Sequence, residues 1–189
     1  HRAVTAQAAP FSMDMIEDDD DNNSNTEAPD TPPTQRPDDE PEIVDLANFL
    51  NGMGAKIVGA GNDVIEIEGV DLLQGTTHDV VADRIEAGTF LIAGIATGGT
   101  VTANQTQPEL LPNFLEKLEE MGATIERSEN SITVSAPNGI KAADVNTLPF
   151  PGYPTDLQAQ ILALMTVANG STVITETIFE NRFMHVPEL

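Results

Sequence analysis

Asp156 stands directly after Pro154-Thr155, where a loop meets a predicted apolar helix, and a carboxylate in that place has two uses. It can accept a proton from a weakly acidic hydroxyl held against it, and the helix N-terminus would favour its anionic form. It can equally serve as a simple N-cap, for which Asp is a favoured residue. Arg182 is the only base between Lys141 and Leu189, so it reads either as a contact for an anion or a neighbouring domain, or as a solvated partner of Glu180 or Glu188. His78 and His185 each lack a second ligand at helical spacing, so no metal is expected. His185, between Met184 and Val186, reads as a packed or capping residue. Glu116, Glu119 and Glu120 read as a solvated helix face. Gly59-Ala60-Gly61 and Gly98-Gly99 read as turns, because neither brings the Lys of a phosphate-binding loop. Cysteine is absent, which removes disulfides, thiolate metal sites and cysteine nucleophiles. No cofactor is implied.

The charge balance narrows the partners. The 189 residues carry a formal net charge of −23, of which −9 falls in residues 1–40 and −14 in residues 41–189. Such a surface repels phosphate backbones, so neither nucleic acid nor an anionic membrane is expected as a partner. No apolar run approaches the ~20 residues of a membrane span, and no basic segment followed by an apolar one opens the chain as a signal peptide would. The first residue is His1, not Met, so a longer polypeptide is expected.

Residues 1–40 hold the acidic run Glu17–Asp21 and then a stretch rich in Asn, Ser, Thr and Pro. With like charges and little apolar surface, this segment is expected to be disordered. From Glu42 the pattern changes. Ile43, Leu46, Ala47, Leu50 and Met53 recur at helical spacing behind Pro41, and Gly52 and Gly54 end the helix. Lys56–Val58 and Val64–Glu68 then read as strands, with Ile65 and Ile67 predicted to be buried between wet glutamates.

The same order returns. Pro108-Glu109 is expected to open a helix with Leu111, Phe114, Leu115 and Leu118 inward, followed by strands at Ile125 and Ile132–Ser135. Met53-Gly54-Ala55 recurs as Met121-Gly122-Ala123, 68 positions later. Predicted helices at Asp83–Thr97 and Asp156–Ala168 lead into Gly98-Gly99-Thr100-Val101-Thr102 and Gly170-Ser171-Thr172-Val173-Ile174, 72 positions apart. Both are apolar on most faces and are expected to be buried, with strands ahead of them at His78–Val81 and Ala143–Val145. A mixed α/β (α+β) unit of roughly 70 residues is thus present nearly twice, too long and too few for a solenoid.

Strand, helix, strand, helix, strand, strand, repeated around a buried helix, resembles the enolpyruvyl transferase family, whose two domains are inside-out α/β barrels of three such units. The blocks Pro41–Leu50, Met53–Ile57, Asp83–Phe90 and Phe150–Gln160 are similar to its second domain. Ile174–Leu189 resembles the branch that uses UDP-N-acetylglucosamine and not the shikimate-pathway branch. The resemblance implies a partial barrel of repeated βαβαββ units, with residues 1–40 outside it and 41–189 forming an incomplete domain of about two units, roughly 41–107 and 108–189.

It also implies a reaction: enolpyruvyl moves from phosphoenolpyruvate to the 3′-hydroxyl of UDP-N-acetylglucosamine, phosphate is released, and peptidoglycan precursors are made in a bacterial cytoplasm. By this resemblance Asp156 is the base, and Thr155 and Ile178 contact the sugar nucleotide (Ile178 through its backbone); Arg182, from its standing as the lone base of its stretch, is taken as a further substrate-side contact. The chain departs from the family pattern in four ways. It lacks a first domain, lacks the loop cysteine, stops at Leu189 and has Pro32–Glu40 where the family has a strand. With 6 bases against 20 acids in residues 41–189, the anion-binding cations are expected on the missing first domain of the same polypeptide. Residues 1–189 alone are therefore expected to be inactive and prone to association. The rival reading is a non-catalytic truncated protein with an acidic arm, used for interaction or sugar-nucleotide binding.

Overall fold

A computed structural model of the chain describes residues 40–189. The disorder expected for residues 1–40 falls outside the described residues except at Glu40, which is ordered and ion-paired.

Helix α1 (Pro41–Gly52) begins with proline, whose missing N–H costs nothing in a first turn, and it ends before Gly54 at φ +99°. It leads into an antiparallel hairpin of β1 (Lys56–Val58) and β2 (Glu66–Glu68), in which Ile57 faces Ile67. Burial is the surprise here. Of α1 only Ala47 is buried, and Ile67 is 70% exposed. The alternation around Ile67 was right for a strand, but no layer among the described residues covers that face, so the expected burial of Ile67 is corrected. The expected strand at His78–Val81 is also absent. The Asp45 carboxylate takes the Val81 amide at 3.2 Å and the His78 ring at 2.9 Å, so these groups serve a helix side chain and not a ladder.

The dense part of the molecule follows. Helix α2 (Arg84–Ala96) is N-capped by Asp83, whose side chain accepts from the amides of Ile85 and Glu86. It lies against a three-stranded antiparallel sheet in the order β3 (Thr100–Asn104), β5 (Ser131–Ser135), β4 (Thr124–Ser128). Val101, Ala103, Ile125, Ile132 and Val134 form the inner face, while Thr102 and Thr133 bond through their hydroxyls on the outer face. Helix α3 (Pro112–Glu120) buries Phe114, Leu115 and Leu118. It starts four residues later than Pro108, because Leu111 precedes a proline and leaves the helical region at φ −136°. Pro108–Leu110 forms only a 3-10 turn.

Helix α4 (Gln158–Met165) packs on α2, with the 3-10 turn Thr155–Leu157 leading into it. Two glycines of α2 permit this sandwich. A Cβ at Gly88 would meet Leu157 Cδ1 at 2.6 Å, and one at Gly94 would meet Val101 Cγ2 at 2.5 Å. Finally β6 (Val145–Asn146) and β7 (Ile174–Thr175) pair in parallel, flanked by the 148–154 loop.

One buried guanidinium links the two parts. Arg84, 7% exposed, donates to Glu42 at 2.9 Å, pairs with Glu40 and stacks over Phe150 at 5.6 Å. Glu40 in turn accepts the Phe150 amide at 3.2 Å. Among the described residues no helix is long and apolar enough to cross a membrane.

The unequal burial has a measurable consequence for the 189-residue chain. Phe114→Ala empties a fully buried site beside Tyr153 and should lower the unfolding free energy by about 3–5 kcal/mol. Ile67→Thr should change it by less than about 0.5 kcal/mol, as for an ordinary surface position. Urea titration of both variants decides this, and equal losses would contradict the description.

Candidate functional site

The parallel pairing of β6 and β7 brings the ends of two distant strands side by side, and chemistry-bearing groups gather just beyond them. Thr147 follows β6 and Glu176 follows β7. The 148–154 loop turns back through bonds from Leu148 N to Tyr153 O at 2.9 Å and from Gly152 N to Pro149 O at 2.7 Å, delivering Pro154, Thr155 and Asp156 to the same place.

Glu176 is the hub. Its Oε1 accepts from Thr147 Oγ1 at 2.9 Å, Ile178 N at 2.8 Å and Phe179 N at 3.2 Å, and its Oε2 accepts from Thr155 Oγ1 at 2.8 Å. Burial pushes this carboxyl up, but those four donors outweigh it and hold Glu176 below the ordinary carboxylate range. Thr147 also ties down the next residue, accepting from the Thr177 amide at 2.9 Å while its carbonyl takes the Thr177 hydroxyl.

From Thr155 the network continues outward. Arg182 Nη1 donates to Thr155 Oγ1 at 3.0 Å and Nη2 to Asp156 Oδ1 at 2.6 Å. The Asp156 side chain remains 55% exposed. Its carboxylate lines a groove of about 450 Å³ together with Glu42, Asp45, Asp83, Val80–Ala82 and Ile85. Arg182 lines a second opening of about 470 Å³ with Phe179–Asn181, Met184 and His185, and its guanidinium lies 5.0 Å from the Phe179 ring centre.

All four residues singled out from the sequence therefore meet in one network: Thr155, Asp156 and Arg182 by direct bonds, Ile178 through Glu176. Two expectations are corrected. Asp156 is not an N-cap: α4 has no side-chain cap, and the carboxylate turns to Arg182. Arg182 pairs with neither Glu180 nor Glu188, because the nearer bonds to Thr155 and Asp156 claim its guanidinium. The Ile178 N–H is taken by Glu176, which leaves the carbonyl as the backbone group that can meet a ligand donor. His185 is half-buried and makes no side-chain cap.

Sequence reading missed Glu176 and Thr147. They lie 29 positions apart and meet only through the parallel pairing, so no local spacing announces them.

The chain matches a family model described as EPSP synthase (3-phosphoshikimate 1-carboxyvinyltransferase) over residues 26–189. It is 56% identical over 151 residues to the UDP-N-acetylglucosamine 1-carboxyvinyltransferase of Photobacterium profundum, a match covering 79% of this chain and 36% of that protein. A second relative, UDP-N-acetylglucosamine 1-carboxyvinyltransferase 1 of Caldanaerobacter subterraneus, is 54% identical over 151 residues, with 80% and 36% covered. The chain thus spans little more than a third of the length of these relatives. Among solved structures, the enolpyruvyl transferase NikO from Streptomyces tendae superposes with a TM-score of 0.71 at 24% identity, over 82% of this chain and 38% of that one. The mixed helix-and-strand arrangement is therefore that of the inside-out α/β fold.

A carboxyl with a depressed folded-state pKa adds stability above its unfolded value and loses it as pH falls through the folded value. For Glu176 the contribution should be complete above about pH 4.3, the ordinary glutamate value, and should fade as pH falls from there through the lower folded value, where the four bonds lose their charged acceptor. The difference in thermal midpoint between this chain and its Glu176→Gln variant should accordingly be largest near neutrality and shrink towards zero in acid. A constant difference from neutral to strongly acid pH would contradict it.

Proposed function

This chain belongs to the EPSP synthase family of enolpyruvyl transferases, and we propose that it carries the proton-accepting part of a centre that moves enolpyruvyl from phosphoenolpyruvate to the 3′-hydroxyl of UDP-N-acetylglucosamine. The observation that carries this reading is the Asp156 carboxylate, pinned through one oxygen by Arg182 at 2.6 Å yet open to a groove. The identity of 54–56% to relatives named for that reaction supports the choice of acceptor substrate.

The chemistry needs such a group. A sugar hydroxyl is a weak nucleophile, so its proton must leave as its oxygen bonds to the central carbon of the enolpyruvyl group and the bond from that carbon to phosphate breaks. Asp156 takes that proton. Arg182 holds the carboxylate in one orientation and supplies positive charge beside it, while Thr155 and the Ile178 carbonyl offer polar groups to the sugar nucleotide.

Phosphoenolpyruvate and a diphosphate also require several cations, and these residues do not have them to spare. Of the six bases in residues 41–189, five are in ion pairs with Glu40 or Glu42, Glu68, Glu119, Glu120 and Asp156. Among the residues lining the groove are four acids, Glu42, Asp45, Asp83 and Asp156, and no Lys or Arg. The anion-binding cations therefore belong to the remainder of the polypeptide, its first domain. We assign residues 41–189 to an incomplete domain of two units, about 41–107 and 108–189. The recurrence of helix plus hairpin in α1-β1-β2 and α3-β4-β5 supports this division. The reaction would serve peptidoglycan precursor synthesis in a bacterial cytoplasm, and through it cell shape and division.

In the complete polypeptide, Asp156→Asn should lower kcat by about 100- to 10,000-fold, the usual reach of a positioned acid–base group. Residues 1–189 alone should release no phosphate from the two substrates together. Phosphate-release assays check both points, and undiminished turnover by the Asn variant would remove Asp156 from the role.

A further inference from the structure

We infer that Glu176 is a positioning residue that sets the proton acceptor without touching it, by fixing the direction of the Thr155 hydroxyl and through it the guanidinium of Arg182. The inference rests on the assignment of Asp156 as proton acceptor and extends it by one further residue.

The hydrogen-bond inventory dictates the direction. An ionised carboxylate only accepts, and a guanidinium only donates. Thr155 has a single hydroxyl proton, and the carboxylate of Glu176 at 2.8 Å can be met only by that proton. The Thr155 oxygen is then left with lone pairs alone for its other neighbour, which is what the Arg182 Nη1 donor at 3.0 Å needs. Arg182 anchored in this way presents Nη2 to Asp156 at 2.6 Å. The sequence runs one way only: acceptor, hydroxyl, donor, acceptor. Glu176 is itself immobilised by donors from Thr147, Ile178 and Phe179, so the orientation is imposed from the strand ends outward.

Glutamine at 176 tests the direction and not merely the presence of a side chain. Its oxygen can keep the bonds from Thr147, Ile178 and Phe179, but its amide then points a donor at Thr155. The hydroxyl must accept there, and its proton loses its place. The reversed amide is worse, since it sets two donors against the backbone N–H groups.

The experiment measures kcat and KM for Glu176→Gln, Thr155→Val, the double variant and Asp156→Asn in the complete polypeptide. Glu176→Gln should lower kcat by about 10- to 100-fold, the worth of a charge-assisted hydrogen bond, with a much smaller change in KM for the sugar nucleotide. On a Thr155→Val background the same substitution should add less than about twofold, because the route is already cut. A kcat for Glu176→Gln equal to wild type overturns the inference, as does an effect that carries over in full to the Thr155→Val background. If Glu176→Gln fails to fold, Thr155→Val decides: it must show the same loss in kcat, and unchanged turnover overturns the inference. Inactivity of Asp156→Asn alongside such a result would sink the inference alone. Activity of Asp156→Asn would sink both it and the assignment beneath it.

Discussion

A guanidinium cannot be left unpaired in a protein interior, and Arg84 is buried to 7% exposure. Its neutralisation draws three segments together: Glu40 and Glu42 at the start of α1, Arg84 itself at the start of α2, and Phe150 in the loop that precedes the site. The helix α1 buries only Ala47, so polar contacts hold it: these pairs, the Asp45 bonds to His78 and Val81, and the Asn51 bonds to Ile57. The groove beside Asp156 is walled by residues of α1 and of the segment entering α2, and the Asp45–Val81 bond joins those walls as the Arg84 pairs join the two helix starts. The far side of Asp156 is held by a second arginine, Arg182. Two arginines thus organise this region: Arg84, buried and paired with Glu40 and Glu42, and Arg182, half-exposed and bonded to Asp156.

The same shortage of positive charge that makes those two arginines decisive explains the electrostatic character of the surface. Lys56, Lys117 and Arg127 are held by carboxylates on or beside the hairpins and α3, and among the described residues Lys141 alone makes no ion pair. The groove beside Asp156 is walled by three further acidic residues, Glu42, Asp45 and Asp83. That is a poor wall for a diphosphate.

Local chemistry was readable where local rules govern. The proline at the head of α1, the hairpin β4–β5 and the positive-φ glycines Gly54 and Gly122 all follow from residue type and spacing. Thr155, Asp156 and Ile178 stand out through family likeness and Arg182 as the lone base of its stretch, and the structure gathers them. What escaped depends on contacts between distant segments. Ile67 alternates like a buried strand residue, yet burial is a property of what lies above it. His78–Val81 has strand-like residues, but Asp45 captures their polar groups from 33 and 36 positions away. Glu176 sits in a stretch of threonines and acids with no periodicity, and only the parallel pairing of two short strands makes it a hub.

Gly88 bears on the site without carrying any polar group to it. Its missing side chain lets α2 approach until Leu157 Cδ1 occupies the space a methyl would take, and Leu157 is the residue next to Asp156. The location of Asp156 is therefore also a question of steric volume in the hydrocarbon layer beneath it. A single carbon atom added there would force the Leu157 side chain to move rather than alter any charge. Aliphatic repacking is thus a route by which reactivity at the surface could drift while every ionisable group stays the same.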